Sequence, residues 1–118
     1  MTTPDVALAT DQLLHALRQT EEFVRYAALR DSVMADEVNR KLLDRFTRAQ
    51  SALQMAALAG SDPRDEDAAE FERLSSLLYQ SEELTDFLLA RMRVQRLVAS
   101  TMERLTREVG LDIELPEL

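Results

Sequence analysis

The places where this sequence could do chemistry are few: one histidine, two acidic doublets and two groups of cations. His15 is the only histidine among the 118 residues, and Asp11 stands four residues before it, so an Asp-His hydrogen bond along one helix face is open to the pair. A nucleophilic mechanism would have to run through that histidine alone, because the chain has no cysteine. Nothing near His15 marks a nucleophile, and an exposed helical ion pair fits its surroundings better. Glu21-Glu22 and Glu82-Glu83 offer paired carboxylates for acid and base work. Adjacent residues point to different sectors of a helix, however, and acids directly after Thr20 and Ser81 suit the first turn of a helix, where the dipole favours negative charge. A ferritin-type dinuclear metal site needs two Glu-x-x-His pairs, which one histidine cannot fill. Gly60 and Gly110 are the two glycines and stand too far apart to form a phosphate-binding loop. The expectation is a protein that is not an enzyme, with no catalytic, cofactor-binding or metal-binding residue and no cofactor.

The cations are the remaining polar feature. Lys41, Arg45 and Arg48 fall at i, i+4 and i+7 and share one helix face, a stripe that could follow phosphates. Glu37 and Asp44 lie beside it and no aromatic is interleaved for base stacking, so a solvated face is the blander and preferred reading. Arg91, Arg93 and Arg96 form a second concentration, and arginine is the cation favoured in protein interfaces. Both groups are candidate partner-binding residues. The charge balance weighs against diffuse attraction to polyanions: 14 Lys plus Arg against 22 Asp plus Glu give a net charge of −8. Residues 1–60 carry 7 of the bases and 8 of the acids, so the excess belongs to the second half.

Helices must position these groups. A chain of this length suits a single domain over 1–118, and 46% hydrophobic with 31% charged residues is a composition that folds. Two glycines and three prolines leave few turns for a many-stranded sheet. Thr3-Pro4-Asp5 reads as cap, first helical residue and dipole-matched acid, followed by the apolar stripe Val6, Leu13, Leu14 and Leu17. Thr20 caps again, so the helix breaks or bends there. Asp36 caps a third segment whose apolar residues Val38, Leu42, Phe46, Ala49, Leu53 and Ala56 trace a coiled-coil-like seam up to Gly60. Asp62 and Pro63 take cap and first-helical positions in the next segment, with Phe71, Leu74, Leu77 and Leu78 on its buried side. Ser81 begins a last helix of roughly seven turns, by the 3.6-residue repeat, ending at Gly110, and residues 111–118 should be a short irregular tail.

Leu17-Arg-Gln-Thr-Glu-Glu-Phe23-Val-Arg-Tyr26 is echoed by Leu78-Tyr-Gln-Ser-Glu-Glu-Leu84-Thr-Asp-Phe87. Shared capping chemistry explains the match, and duplication would need a longer one. The layout is all-α: an elongated bundle in which two long antiparallel helices meet through the Gly60–Pro63 turn, with shorter helices beside them. Doubled apolar positions, Leu42-Leu43, Leu77-Leu78, Leu88-Leu89 and Leu97-Val98, exceed what one buried stripe per helix requires. A symmetric dimer would cover the surplus. The methionines Met34, Met55, Met92 and Met102 read as core filler. No apolar run reaches the roughly 20 residues that span a bilayer, and the N-terminal residues lack a signal-peptide pattern, so a cytoplasmic location without membrane insertion is expected.

Over about residues 5–110 the order and spacing of these elements resemble a known family. The Leu13–Leu17 helix, Thr20-Glu-Glu-Phe23-x-x-Tyr26, the Asp36–Phe46 stretch, Gln50-x-x-Leu53 before Gly60, and Leu78-x-x-Ser81-x-x-Leu84-x-x-Phe87-Leu88 are similar to the YlbF/YmcA family of small all-helical bacterial regulators. The resemblance implies a non-catalytic adaptor that associates with itself or with paralogues. It also implies, for some members, control of competence, biofilm formation and sporulation through the endoribonuclease RNase Y. Direct RNA binding through the Lys41 stripe stands as the alternative. One departure is plain: complexes of that family can hold iron-sulfur clusters on cysteine ligands, and this chain has no cysteine to offer.

Overall fold

Short polar side chains set where the helices of this chain begin. The Thr3 hydroxyl accepts from Val6 N at 3.3 Å, the Thr20 hydroxyl from Phe23 N at 3.2 Å, an Asp36 carboxylate oxygen from Asn39 N at 3.1 Å, and the Ser81 hydroxyl from Leu84 N at 3.2 Å. Each satisfies a backbone donor that a helix N-terminus leaves unpaired. In a computed structural model that describes residues 3–111, these caps open α1 (Pro4–Arg18), α2 (Glu21–Ala35), α3 (Glu37–Leu58) and α5 (Glu82–Val109). The fifth helix, α4 (Asp65–Tyr79), starts differently. No strand occurs among the described residues, and the all-α expectation holds. The tail expected over 111–118 lies, from residue 112 on, outside the described residues.

Glycine sets two of the ends. Gly60 and Gly110 have φ of 70° and 83°, in the left-handed region that side chains with a Cβ avoid. Their turns let Ser61 N donate to Ala56 O at 2.9 Å and Leu111 N to Thr106 O at 3.0 Å, closing helix ends that would otherwise leave carbonyls unpaired. At Thr20 the chain breaks rather than bends. The Thr20 hydroxyl also donates to Leu17 O at 2.6 Å, so a single side chain ends α1 and begins α2.

One start is corrected. Helix α4 begins at Asp65, two residues after Pro63, with extended Arg64 in the capping place and no side-chain cap. Helical structure does not resume until Asp65, and the acids Asp65, Glu66 and Asp67 stabilise the new first turn in place of a cap. Arg64 donates back to Asp67 at 3.2 Å, and that bond, helped by the charges of Asp67 and Glu66, holds its guanidinium above the ordinary arginine range.

Contacts divide the helices into two units. The mid-chain unit, Leu29–Leu88, holds α3, α4, the end of α2 and the start of α5. Its core is Val33, Leu43, Phe46, Leu74, Leu78, Leu84 and Phe87, all nearly solvent-free. The Phe46 and Phe71 rings stack across α3 and α4 at 5.3 Å, a contact that locks the hairpin made by the Gly60 turn. The α3 seam read in the sequence holds from Leu42 on, with Phe46 buried and Leu42, Ala49, Leu53 and Ala56 half-buried; Leu43 joins it as a buried residue, whereas Val38 is 75% exposed. Val38 belongs to the first turn of α3, and it is the later turns, Leu42 onward, that pack. Leu77 is likewise exposed while its neighbour Leu78 is buried.

The terminal unit holds α1, α2 up to Ala28 and α5 from Leu89. Its composition of burial is the reverse. Helix α1 contains no buried residue, and Ala90 is the one buried hydrophobic among the described residues of this unit. Leu13, Leu17, Val94 and Leu97 are half-buried, while Val6, Leu8, Leu14, Val24 and the end of α5 keep apolar surface exposed. The methionines do not fill a core either. Met34, Met55 and Met102 are exposed and Met92 is half-buried, since the compact mid-chain core is completed by leucines and phenylalanines.

Candidate functional site

The two groups of cations meet different fates. Lys41, Arg45 and Arg48 stand on one face of α3, as their spacing requires, and all are exposed. Each has a carboxylate partner: Lys41 Nζ lies 2.9 Å from Glu37, Arg45 is 3.3 Å from Glu70 on α4, and Arg48 is 3.2 Å from Asp44. Arg45 and Arg48 also line a shallow groove of about 310 Å³ between α3 and α4, with Ala49, Ala52, Asp67 and Glu70. A phosphate entering there meets carboxylates as well as guanidinium groups, so the stripe has little net positive potential to offer a polyanion. Glu70 is shared, for Arg73 binds it at 2.9 Å.

Arg91, Arg93 and Arg96 do not act as one group. Arg93 and Arg96 are exposed at i and i+3 and so neighbour each other on α5. Arg91 is half-buried and faces a different sector of the helix. Among the described residues no carboxylate lies within ion-pair distance of Arg93 or Arg96. Arg93 borders an open groove of about 760 Å³ in the terminal unit, together with Glu21, Glu22, Val24, Arg25, Ala28 and Ala90. The two alanines keep the groove wide because neither carries atoms beyond Cβ. Val24 adds exposed apolar wall, and Glu21, Glu22, Arg25 and Arg93 give a rim of both signs. The groove thus combines an apolar strip with charged flanks.

The other candidates have structural duties. Asp11 and His15 are both exposed, and no hydrogen bond or ion pair joins them. Glu21 and Glu22, like Glu82 and Glu83, occupy first turns as the capping reading requires. No group of three or more His, Cys, Asp or Glu that could hold a metal occurs among the described residues. Glu83 does something the sequence did not announce. Its carboxylate accepts from the Ser32 hydroxyl and from Asn39 Nδ2, the latter at 3.3 Å, and so ties the start of α5 to both sides of the α2–α3 junction. Those partners are 51 and 44 residues away, beyond any local pattern.

The family described as "Control of competence regulator ComK, YlbF/YmcA" matches residues 7–110. This chain belongs to the YlbF/YmcA family. Among its relatives, the UPF0342 protein YheA of Bacillus subtilis is 31% identical over 86 residues, 73% of this chain and 74% of that protein. A UPF0342 protein of Bacillus licheniformis is 32% identical over 87 residues, covering 74% of each. A protein of unknown function (DUF964) from Bacillus stearothermophilus has the same fold, with a TM-score of 0.73 over 91% of this chain and 93% of that one at 20% identity. Membership fixes an all-helical, competence-regulator-related family. No helix among the described residues is long and apolar enough to cross a membrane.

Proposed function

We propose that this chain is a non-catalytic cytoplasmic adaptor that regulates by binding proteins, with the α2–α5 groove and the neighbouring Arg93–Arg96 pair as its docking surface. The observation that carries this reading is the juxtaposition, in the terminal unit, of exposed apolar wall and of Arg93 and Arg96, which have no carboxylate partner among the described residues. Arginines left unpaired beside apolar surface are suited to an incoming helix that brings its own acids, because the ion pairs then form only in the complex. In its finer form the reading follows the family resemblance: the partner is a helical paralogue or a ribonuclease such as RNase Y, and the output is altered RNA processing in competence, biofilm or sporulation control.

The test is the double variant Arg93→Glu/Arg96→Glu, expressed with a tag at native level in its host, gently crosslinked and compared with the unaltered chain by mass spectrometry. Capture of a ribonuclease or helical paralogue by the unaltered chain should fall at least ten-fold in the variant, with helicity retained by circular dichroism. Equal capture by both removes this surface from the proposal. Direct RNA binding through Lys41, Arg45 and Arg48 loses ground because all three are ion-paired within the chain. Salt-sensitive retention of RNA by the purified protein, abolished by Arg45→Glu, would restore it.

A further inference from the structure

Four arginines run along one face of α5. Arg93, Arg96, Arg104 and Arg107, with Ser100 between them, succeed one another at spacings of three, four, four and three, and all five residues are exposed. The row is about 21 Å long at the helical rise of roughly 1.5 Å per residue. Among the described residues no carboxylate lies within ion-pair distance of Arg93, Arg96 or Arg104, and Arg107 meets Glu103 at 3.7 Å. With about 100° between successive residues, Val98, Met102 and Leu105 fall on the opposite face, so the row offers charge without apolar contact. The chain's negative charge does not describe this unit, whose residues 3–28 and 89–111 carry 7 Lys plus Arg against 6 Asp plus Glu. We infer that the row is occupied by the chain's own segment 112–118, whose acids cover the arginines of the docking surface until a partner displaces them.

Charge and length select that segment. Residues 112–118 hold Asp112, Glu114 and Glu117 and no base, and they follow a stretch of α5 that carries the four arginines. Gly110, at φ 83°, turns the chain at the helix end, and Leu111 N donates to Thr106 O at 3.0 Å, so the chain leaves α5 folded back beside its last turn. Measured from Thr106, Arg104 stands about 3 Å, Arg96 about 15 Å and Arg93 about 20 Å back along the axis. Seven residues span at most about 25 Å. Asp112 and Glu114 are therefore within reach of Arg107 and Arg104, and Glu117 within reach of Arg96. Exposed ion pairs are individually weak, but a segment joined directly to its site meets it at an effective concentration on the order of millimolar. A separate acidic helix has no such advantage and must compete with the segment for the same guanidinium groups.

The contact itself is independent of the adaptor reading, whereas its regulatory meaning deepens that reading and rests on it. The test uses the absence of cysteine from the chain. Leu118→Cys, which keeps every charge, is given a nitroxide label, and broadening of backbone amides is read by NMR. Spectra are compared in about 20 mM and about 500 mM salt, where the Debye length is roughly 20 Å and roughly 4 Å. Amides of residues 93–100 should broaden at low salt. The effect should fall at least three-fold at high salt, and equally when Arg96→Gln and Arg104→Gln are added. Broadening confined to residues beside Leu111, or the same at both salt concentrations, overturns the inference. So does equal broadening when nitroxide and isotope are on different copies in a mixture, which assigns the contact to a second molecule. Asp112→Asn/Glu114→Gln/Glu117→Gln should raise Arg93-dependent capture of the partner at least three-fold, and unchanged capture overturns the covering role. A missing contact with Arg93-dependent capture intact sinks this inference and spares the adaptor reading. A salt-sensitive contact within one chain, without such capture, does the reverse.

Discussion

Single side chains do two kinds of work here: Thr20 and Ser81 cap helix starts, and Glu83 ties together segments far apart in the chain. Thr20 and Ser81 were readable as caps because a cap acts on a backbone donor three residues away, and both make that bond. Replacing either by alanine should lower stability by about 1 kcal/mol, read from the urea midpoint, with serine at position 20 close to neutral. Loss of helicity without any shift of the midpoint would contradict the capping role. Glu83 was read only as a first-turn acid, since its partners Ser32 and Asn39 belong to a junction that folding brings to it. Hydrogen bonds to a charged group contribute about 1.5–3 kcal/mol when sheltered, and half-exposure reduces that. Glu83→Ala should therefore cost about 1–2 kcal/mol, more than the same change at Glu82, which makes no such bonds among the described residues. Equal losses at the two positions would reduce Glu83 to a helix-dipole acid.

At the level of elements, periodicity fixed which segments are helical but not which sector of each faces inward. On α3 the sequence offered Leu42 and Leu43 side by side, and a seam begun at Val38 takes in half-buried Leu42 but passes over Leu43, which is buried. The deciding information is the position of α4, whose Phe71 meets Phe46 and whose Glu70 meets Arg45. No pattern within α3 contains it. The start of α4 was missed for a related reason: proline at 63 fits the first helical position, but the acids two residues later fit it better when no side chain caps. Burial now makes the sides testable. Leu74→Ala, at a site 1% exposed, should cost about 2–5 kcal/mol, whereas Val38→Ala, at 75% exposure, should stay within about 0.5 kcal/mol. Comparable midpoints for the two variants in chemical denaturation would put Val38 back among the packed residues. Gly60→Ala tests the hairpin turn, since a Cβ at φ 70° meets no neighbour yet should cost about 1 kcal/mol from backbone strain alone.

Across the whole chain the contrast between the two units governs behaviour more than any residue does. Seven nearly solvent-free side chains stabilise the mid-chain unit, while α1 has 15 residues and none buried. Helices of that length are marginal in water without tertiary packing, so α1 must draw its stability from whatever covers its apolar face. This much could be anticipated from the surplus of apolar positions, but not its location, because helical periodicity is the same whether a stripe meets its own chain, another chain or water. Amide hydrogen exchange distinguishes these cases. At low micromolar concentration the amides of α1 and of α5 beyond Val98 should exchange at least 100-fold faster than those around Leu43, Phe46 and Leu74, which open only with global unfolding. Raising the concentration should slow exchange in the terminal unit and leave the mid-chain unit unchanged, because association stabilises only the surface it covers. Protection that is uniform along the chain at low concentration would mean that α1 is stable with its apolar face in water. The uneven division of burial would then carry no consequence for folding or for binding.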